Sequence, residues 1–239
     1  MNAEARPTPY GAAAGAGAVI LFVIGALVIG SQPAFDAPGA EVAEHLEDKR
    51  TRIHIGLAAN AAAMPLMVWF LATVASLAGG AGMRARRVGA VAYGCGLIFI
   101  ALFLVDNTAL AVSALRPENM AASPELAATL RDFEWLPQGM AAPLGTTMLA
   151  AFSVMALRDA AVWPPWVGWL AAAAAAVYAI RIGILFTTEG PFAVDGVLGL
   201  WLPVSALLSW VFVAGATLAL RLRREAPPPD HPKEPARLT

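Results

Sequence analysis

Six long stretches of this sequence carry almost no ionisable side chains. They cover residues 11–35, 53–83, 88–115 (interrupted by Asp106), 135–157, 161–188 (interrupted by Arg181) and 196–220. As a helix rising about 1.5 Å per residue, each stretch is long enough to cross about 30 Å of hydrocarbon. The stretches are solidly apolar and lack the alternation of membrane barrel strands. The sequence therefore predicts an all-α, polytopic membrane helix bundle with about six transmembrane helices.

Composition agrees with this prediction and excludes some classes of partner. Only 14% of the residues are charged, against about 25% in soluble domains. The formal net charge is -1, which argues against nucleic acid as a partner. Cys95 is the single cysteine, and one thiol cannot build a disulfide framework or a thiolate metal site. The expected partner is the lipid bilayer.

The flanking charges predict the orientation. One set of loops holds bases that include Arg6, Arg84, Arg158 and Arg221, and the opposite set holds fewer bases among several acids. Because basic loops stay in the cytoplasm, both ends are expected there, in a bacterial cytoplasmic (inner) membrane. We expect a cytoplasmic N-terminus (1–10), a transmembrane domain (11–222) and a disordered, proline-rich cytoplasmic tail (223–239).

Two loops on the predicted outer side show helical patterns. In residues 41–52, Val42, Leu46 and Ile53 recur near helical spacing, which predicts an outward extension of the second span. Ser123 followed by Pro124 is typical of a helix start, with serine as the N-cap.

Prolines, small residues and tryptophans mark positions inside or near the spans. Pro65, Pro143 and Pro203 each remove a helical hydrogen bond, and each is interpreted either as shaping the bundle or as a gating hinge. Small residues such as Gly25 let helix backbones approach closely in lipid. Tryptophans near the predicted interfaces fit an aromatic belt: Trp135, Trp163, Trp166 and Trp169.

The arrangement resembles a known family. The six spans, the charged residues 44–56 (EHLEDKRTRIHIG) and the turn at 164–169 (PPWVGW) are similar to those of a widespread, uncharacterised bacterial family of six-helix membrane proteins. The likeness covers most of the chain. It implies the fold alone, because the family has no established activity or functional residues.

Two ionisable residues lie at membrane depth, where a charge is costly unless it is paired or hydrated. Asp106 and Arg181 lie about 25 and 22 Å from the inner face, at about 1.5 Å per residue, so a direct pair is geometrically allowed. The pair is interpreted either as a structural link that fixes helix register or as a polar site that binds an anion or relays a proton.

Other polar residues are expected in the same outer half of the bundle. Asn107, Asn60 and His54 complete the predicted ligand-binding set with Asp106 and Arg181. Glu134 and its neighbours also lie in that half, although ordinary interfacial placement would explain them. The inner half holds few ionisable groups, which favours an outward-facing pocket over a through-channel.

Motifs for catalysis or cofactors are missing from the sequence. There is no GxSxG, HExxH or glycine-rich phosphate loop. His45 and Glu41, at helical i,i+4 spacing, are a weak pattern for metal binding. We expect no cofactor and no metal.

Three functions fit these features. The first is a non-enzymatic binding or accessory protein whose outward-facing polar pocket takes a lipid or small hydrophobic ligand, or whose bundle serves a membrane protein partner. The second is a membrane enzyme acting on a lipid or isoprenoid substrate, with Asp106 as general acid or base. The third is a small transporter, which the absence of an internal repeat disfavours.

Overall fold

A computed structural model describes residues 9–34, 37–159, 162–187 and 189–225. Within these ranges the chain is helical or irregular, with no β-strand. Most of the predicted N-terminal segment and of the proline-rich tail lie outside the described residues.

The described part of the chain contains seven α-helices: α1 (Pro9–Ile29), α2 (Gly39–Gly80), α3 (Met83–Leu115), α4 (Pro117–Ala122), α5 (Pro124–Val154), α6 (Pro165–Ala179) and α7 (Leu202–Glu225). Three irregular helical segments adjoin them: a π-helical turn after α5 (Met155–Asp159), a 3₁₀ segment that continues α6 (Ile180–Leu185) and a π-helical turn before α7 (Val197–Trp201). All the α-helices except the short α4 lie in segments long and apolar enough to cross a membrane. The prediction of an all-helical chain with six such helices is confirmed.

Long helices that follow one another in the chain run in opposite directions, so the bundle has two distinct ends. The arginine end holds the start of α3, with Arg84, and the end of α7, with Arg221. The α4 end holds α4, the first turns of α2 and the start of α5. The candidate site lies toward the α4 end.

Both predicted loop helices are present. Helix α2 begins at Gly39, so the charged residues 41–52 extend the second span as predicted. Helix α5 begins at Pro124 and is capped by Ser123, whose Oγ accepts a hydrogen bond of 3.3 Å from the Leu126 backbone N–H. The separate helix α4 was not predicted.

Glycines set the close packing of α1 on α2. A Cβ atom added at Gly25 would collide with Asn60 Oδ1 and would lie 2.7 Å from the Gly56 carbonyl oxygen. Gly56 likewise faces the Gly25 carbonyl oxygen. The two backbones therefore approach closely enough that only hydrogen fits between them, as expected for helices that associate by packing in lipid.

An aromatic cluster fills the core nearer the arginine end. Phe152 stacks on Trp210 with ring centroids 4.8 Å apart, and Trp163 meets both rings edge-on. The Trp163 and Trp210 indole N–H groups donate to the Ala214 and Val167 carbonyls. Trp163 is fully buried, so its placement in an aromatic belt was wrong, because a membrane interface would require an exposed ring.

Candidate functional site

Asp106 lies on the buried face of α3 and accepts hydrogen bonds on both carboxylate oxygens. Its Oδ1 accepts a bond of 2.9 Å from Asn107 Nδ2, and its Oδ2 accepts a bond from Gln138 Nε2 on α5. Only 5% of Asp106 is exposed. Two N–H donors partly replace the water that this carboxylate loses, which lowers the cost of burying its charge.

Gln138 stands between Asp106 and Arg181. The Gln138 Oε1 atom accepts a hydrogen bond of 3.4 Å from Arg181 Nη2, while its Nε2 donates to Asp106. The direct pair that the sequence allowed is therefore replaced by a bridged pair. The amide has one acceptor end and one donor end, so only one orientation satisfies both the guanidinium and the carboxylate.

Arg181 also holds a backbone carbonyl of the π-helical turn. Its Nη1 donates a hydrogen bond of 3.0 Å to the Gly199 carbonyl. In an α-helix that carbonyl would accept from the residue four positions later, which is Pro203 and has no N–H. The arginine supplies a donor that the proline cannot. Arg181 is 1% exposed, and within the described part of the chain its Nε has no hydrogen-bond partner.

The resulting network joins four elements. Asp106 on α3, Gln138 on α5, Arg181 on the 3₁₀ segment and Gly199 in the π-helical turn follow one another through hydrogen bonds. Such a network fixes the register of these elements, and breaking one link leaves a buried charge uncompensated. The geometry thus fits a structural link.

The other predicted residues lie outside this network's hydrogen bonds. Asn60 is buried on the face of α2 that meets Gly25 of α1. His54 Nδ1 lies 2.8 Å from the Arg50 carbonyl of its own helix. Of the predicted ligand-binding residues, the structure brings together Asp106, Asn107 and Arg181.

A cavity of about 320 Å³ opens at the α4 end. Its lining is polar and comes from the connection after α1 and from one face of the first turns of α2: Ser31, Gln32, Pro33, Glu41, Glu44, His45, Asp48 and Lys49. The volume falls within the range of small-molecule sites, about 300–1,000 Å³.

A second, much smaller cavity of about 20 Å³ lies deeper. It shares Gln32 and His45 with the larger cavity and reaches Ser113 on α3 and Glu134 on α5. A volume of this size accommodates about one water molecule. Glu134 lies one helical turn from Gln138, so polar side chains extend from the open cavity to the buried network.

On the face of α2 that lines the larger cavity, the charge of the side chains changes along the helix from its first turn onward. Glu41, Glu44 and Asp48 are acidic, Lys49 and the exposed Arg52 are basic, and the exposed Ile55 is apolar. Positions 41, 44, 48, 52 and 55 follow the spacing of one helix face. The order along the face is thus acid, base and then hydrocarbon.

Among the residues that the structure describes, no group of three or more His, Cys, Asp or Glu side chains is placed to hold a metal ion.

Comparison with known proteins gives no match for this chain among family models, curated proteins or solved structures. The resemblance to a six-helix bacterial membrane family therefore stays an expectation, and the site has to be interpreted from its own geometry.

Sequence reasoning missed two residues of this site. Gln138 is neutral and lies in a stretch chosen for its lack of charge, so a search for ionisable groups passed over it. Gln32 lies at the end of an apolar stretch and showed no pattern. A useful signal would have been the amide of Gln138 itself, because a hydrogen-bonding group at membrane depth needs a partner.

Proposed function

We propose that this chain is a multi-pass protein of the bacterial inner membrane, with both ends in the cytoplasm, that binds a lipid on its outer side. In this orientation the α4 end faces outward, and the lipid head group occupies the cavity beside α2. The observation that carries the proposal is the path of polar side chains from that cavity to Glu134, next to the buried network. The bundle would act as a binding or accessory protein, alone or with a membrane protein partner.

The charge order along α2 supports a particular class of lipid. In phosphatidylethanolamine the amine lies furthest from the membrane, the phosphate lies below it and the acyl chains follow. Glu44 and Asp48 suit the amine. The lining Lys49 and, one turn beyond Asp48, the exposed Arg52 suit the phosphate, and the exposed Ile55 suits the start of an acyl chain. The proposed ligand is therefore a zwitterionic, amine-bearing phospholipid.

The enzyme alternative has less support from the geometry. Both carboxylate oxygens of Asp106 already accept hydrogen bonds, and the residue is almost fully buried. A general acid or base must come within hydrogen-bond reach of its substrate, and here Gln138 and Asn107 occupy those directions.

Lipid retention tests the proposal. The purified protein is incubated with equal amounts of phosphatidylethanolamine and phosphatidylglycerol that carry the same acyl chains, and bound lipid is counted by native mass spectrometry. We expect preferential retention of phosphatidylethanolamine. An exposed charge pair contributes about 0.2–1 kcal/mol, so Glu44→Gln should weaken that retention up to about fivefold.

Glu47→Gln is the matched control, because Glu47 is exposed on α2 and does not line the cavity. It should leave retention unchanged. Equal retention of the two lipids, or equal effects of the two substitutions, would contradict the proposal. A change in the mass of the bound lipid would instead support the enzyme alternative.

A further inference from the structure

Two irregular helical segments meet where Arg181 bonds to Gly199. The 3₁₀ segment Ile180–Leu185 has 6 residues, whereas most 3₁₀ runs stop at about 3–4 residues. The π-helical turn Val197–Trp201 faces it across the hydrogen bond between Arg181 and the Gly199 carbonyl. Helix breaks of this kind at membrane depth are frequent at functional hinges and binding sites.

The residues between these segments form a compact unit with the π-helical turn. The Leu198 N–H donates to the Pro191 carbonyl at 2.8 Å, and the Gly196 N–H donates to the Ala193 carbonyl at 2.9 Å. A Cβ atom at Gly199 would collide with the Ala193 carbonyl oxygen. We call this unit, which comprises the described residues 186–187 and 189–201, the connector.

The surface of the connector includes large apolar side chains. Phe186 is 83% exposed and Trp201 is 64% exposed. Just before the connector, Ile184 and Leu185 pack so closely on α5 that a Cβ atom at Gly139 would lie 2.7 Å from each of them. Outward movement of this region would open a side path from the apolar surface toward Gln138.

We propose that Arg181 holds the connector against the bundle through the Gly199 carbonyl, and that the Asp106 carboxylate maintains this contact through Gln138. We call the two hydrogen bonds of Arg181, to Gly199 and to Gln138, the latch. The latch is closed when both bonds are formed and open when the bond to Gly199 is broken. Asp106 fixes the orientation of the Gln138 amide, which turns its oxygen toward Arg181. Because this oxygen accepts from Arg181 Nη2, the guanidinium stays in place and its Nη1 donates to the Gly199 carbonyl. A group that donates a hydrogen bond to Asp106 Oδ2 in place of Gln138 opens the latch, because the amide loses the contact that orients it.

The latch depends on the orientation of the Gln138 amide and is independent of lipid binding. If position 106 presents an N–H₂ group, the Gln138 amide turns to offer its oxygen there. Its own N–H₂ group then faces Arg181 Nη2, and two donors meet. The hydrogen bond between Gln138 and Arg181 is lost, and Arg181 is free to leave Gly199.

Hydrogen exchange measured by mass spectrometry on the full-length protein in lipid nanodiscs tests the latch. We expect Asp106→Asn and Arg181→Met to accelerate amide exchange in the connector by about tenfold, the effect of losing one buried hydrogen bond. Exchange in α1, α2 and the second half of α7 should accelerate by a clearly smaller factor than exchange in the connector.

Asn107→Ala is the matched control for Asp106→Asn. It removes the other donor to the carboxylate and leaves the bond from Gln138 in place, so connector exchange should not change. Uniform acceleration across all helices in Asp106→Asn would mean that the network only stabilises the fold, and an unchanged connector would also overturn the latch.

Pro203→Ala provides a second, independent variant. It restores an N–H four residues after Gly199, so the carbonyl gains a donor within its own helix. This variant should slow exchange in the connector, and in its presence Arg181→Met should lose most of its effect. If Pro203→Ala leaves exchange unchanged, or if Arg181→Met has the same effect with and without the proline, Arg181 does not act through the Gly199 carbonyl.

Discussion

At the scale of single residues, the neutral side chain of Gln138 lies between the buried Asp106 and Arg181 and forms a hydrogen bond with each of them. Gln138 separates Asp106 from Arg181 and satisfies one hydrogen-bonding direction of each. The arrangement is specific because an amide offers one donor end and one acceptor end. An apolar side chain of similar length would leave a carboxylate and a guanidinium without this partner.

We expect Gln138→Met to destabilise the protein strongly. Methionine is about as long as glutamine but cannot bridge the two charges, and breaking a buried charged link costs about 3–5 kcal/mol. Thermal unfolding in detergent should show a large fall in the midpoint.

Asn107→Ala serves as the comparison at this site. It removes one hydrogen bond to Asp106 and one to the Phe103 carbonyl, and it should cost about 2 kcal/mol. If the two variants unfold at the same temperature, the bridge through Gln138 is not the main support of the buried carboxylate.

At the scale of helices, close backbone contact joins α1 to α2. Gly25 and Gly56 face each other's carbonyl oxygens, and Asn60 lies beside Gly25. Hydrophobic association between helices is weak in lipid, so this contact depends on packing that tolerates little added volume.

Gly25→Ala should therefore weaken the bundle even though alanine favours helices. The added methyl group would meet the Asn60 amide and the Gly56 backbone, and overpacking of this kind costs about 1–3 kcal/mol. Chemical or thermal unfolding in detergent measures the loss.

Gly94→Ala is the control on α3, because nothing lies within 4 Å of a Cβ atom at that position. Alanine there should be neutral or stabilising by up to about 1 kcal/mol, since it favours helix over glycine. Equal effects at Gly25 and Gly94 would show that the contact between α1 and α2 is looser than described.

At the scale of the whole molecule, the two ends of the bundle differ in composition. The arginine end carries bases at the start of α3 and the end of α7, and the α4 end carries the polar cavities. The difference predicts the orientation in the membrane by the rule that basic loops stay in the cytoplasm.

Cysteine labelling in intact cells tests this orientation. In a Cys95→Ser background, a cysteine placed at the exposed Glu189 should react with a membrane-impermeant thiol reagent from outside. A cysteine placed at the exposed Arg224 should react only after the membrane is permeabilised. The reverse pattern would invert the topology and place the cavity beside α2 in the cytoplasm.

The sequence by itself determined the class of fold and the number of long apolar helices in the described part of the chain. Length and apolar composition are enough for this, because a spanning helix satisfies its own backbone hydrogen bonds and has to be long enough to cross the hydrocarbon. The same reasoning identified Asp106 and Arg181, since a charge at membrane depth stands out in a sequence. Ser123 was recognised as a cap because capping depends on residues close in the chain.

Only the tertiary structure decided which side chains meet. Gln138 bridges the two charges, Asn60 turns toward α1, and Gln32 and His45 join the two cavities. Each of these contacts joins residues far apart in the chain, and it depends on how one helix is rotated and shifted against another. Packing of many small contacts sets that rotation, and no local pattern in the sequence encodes it.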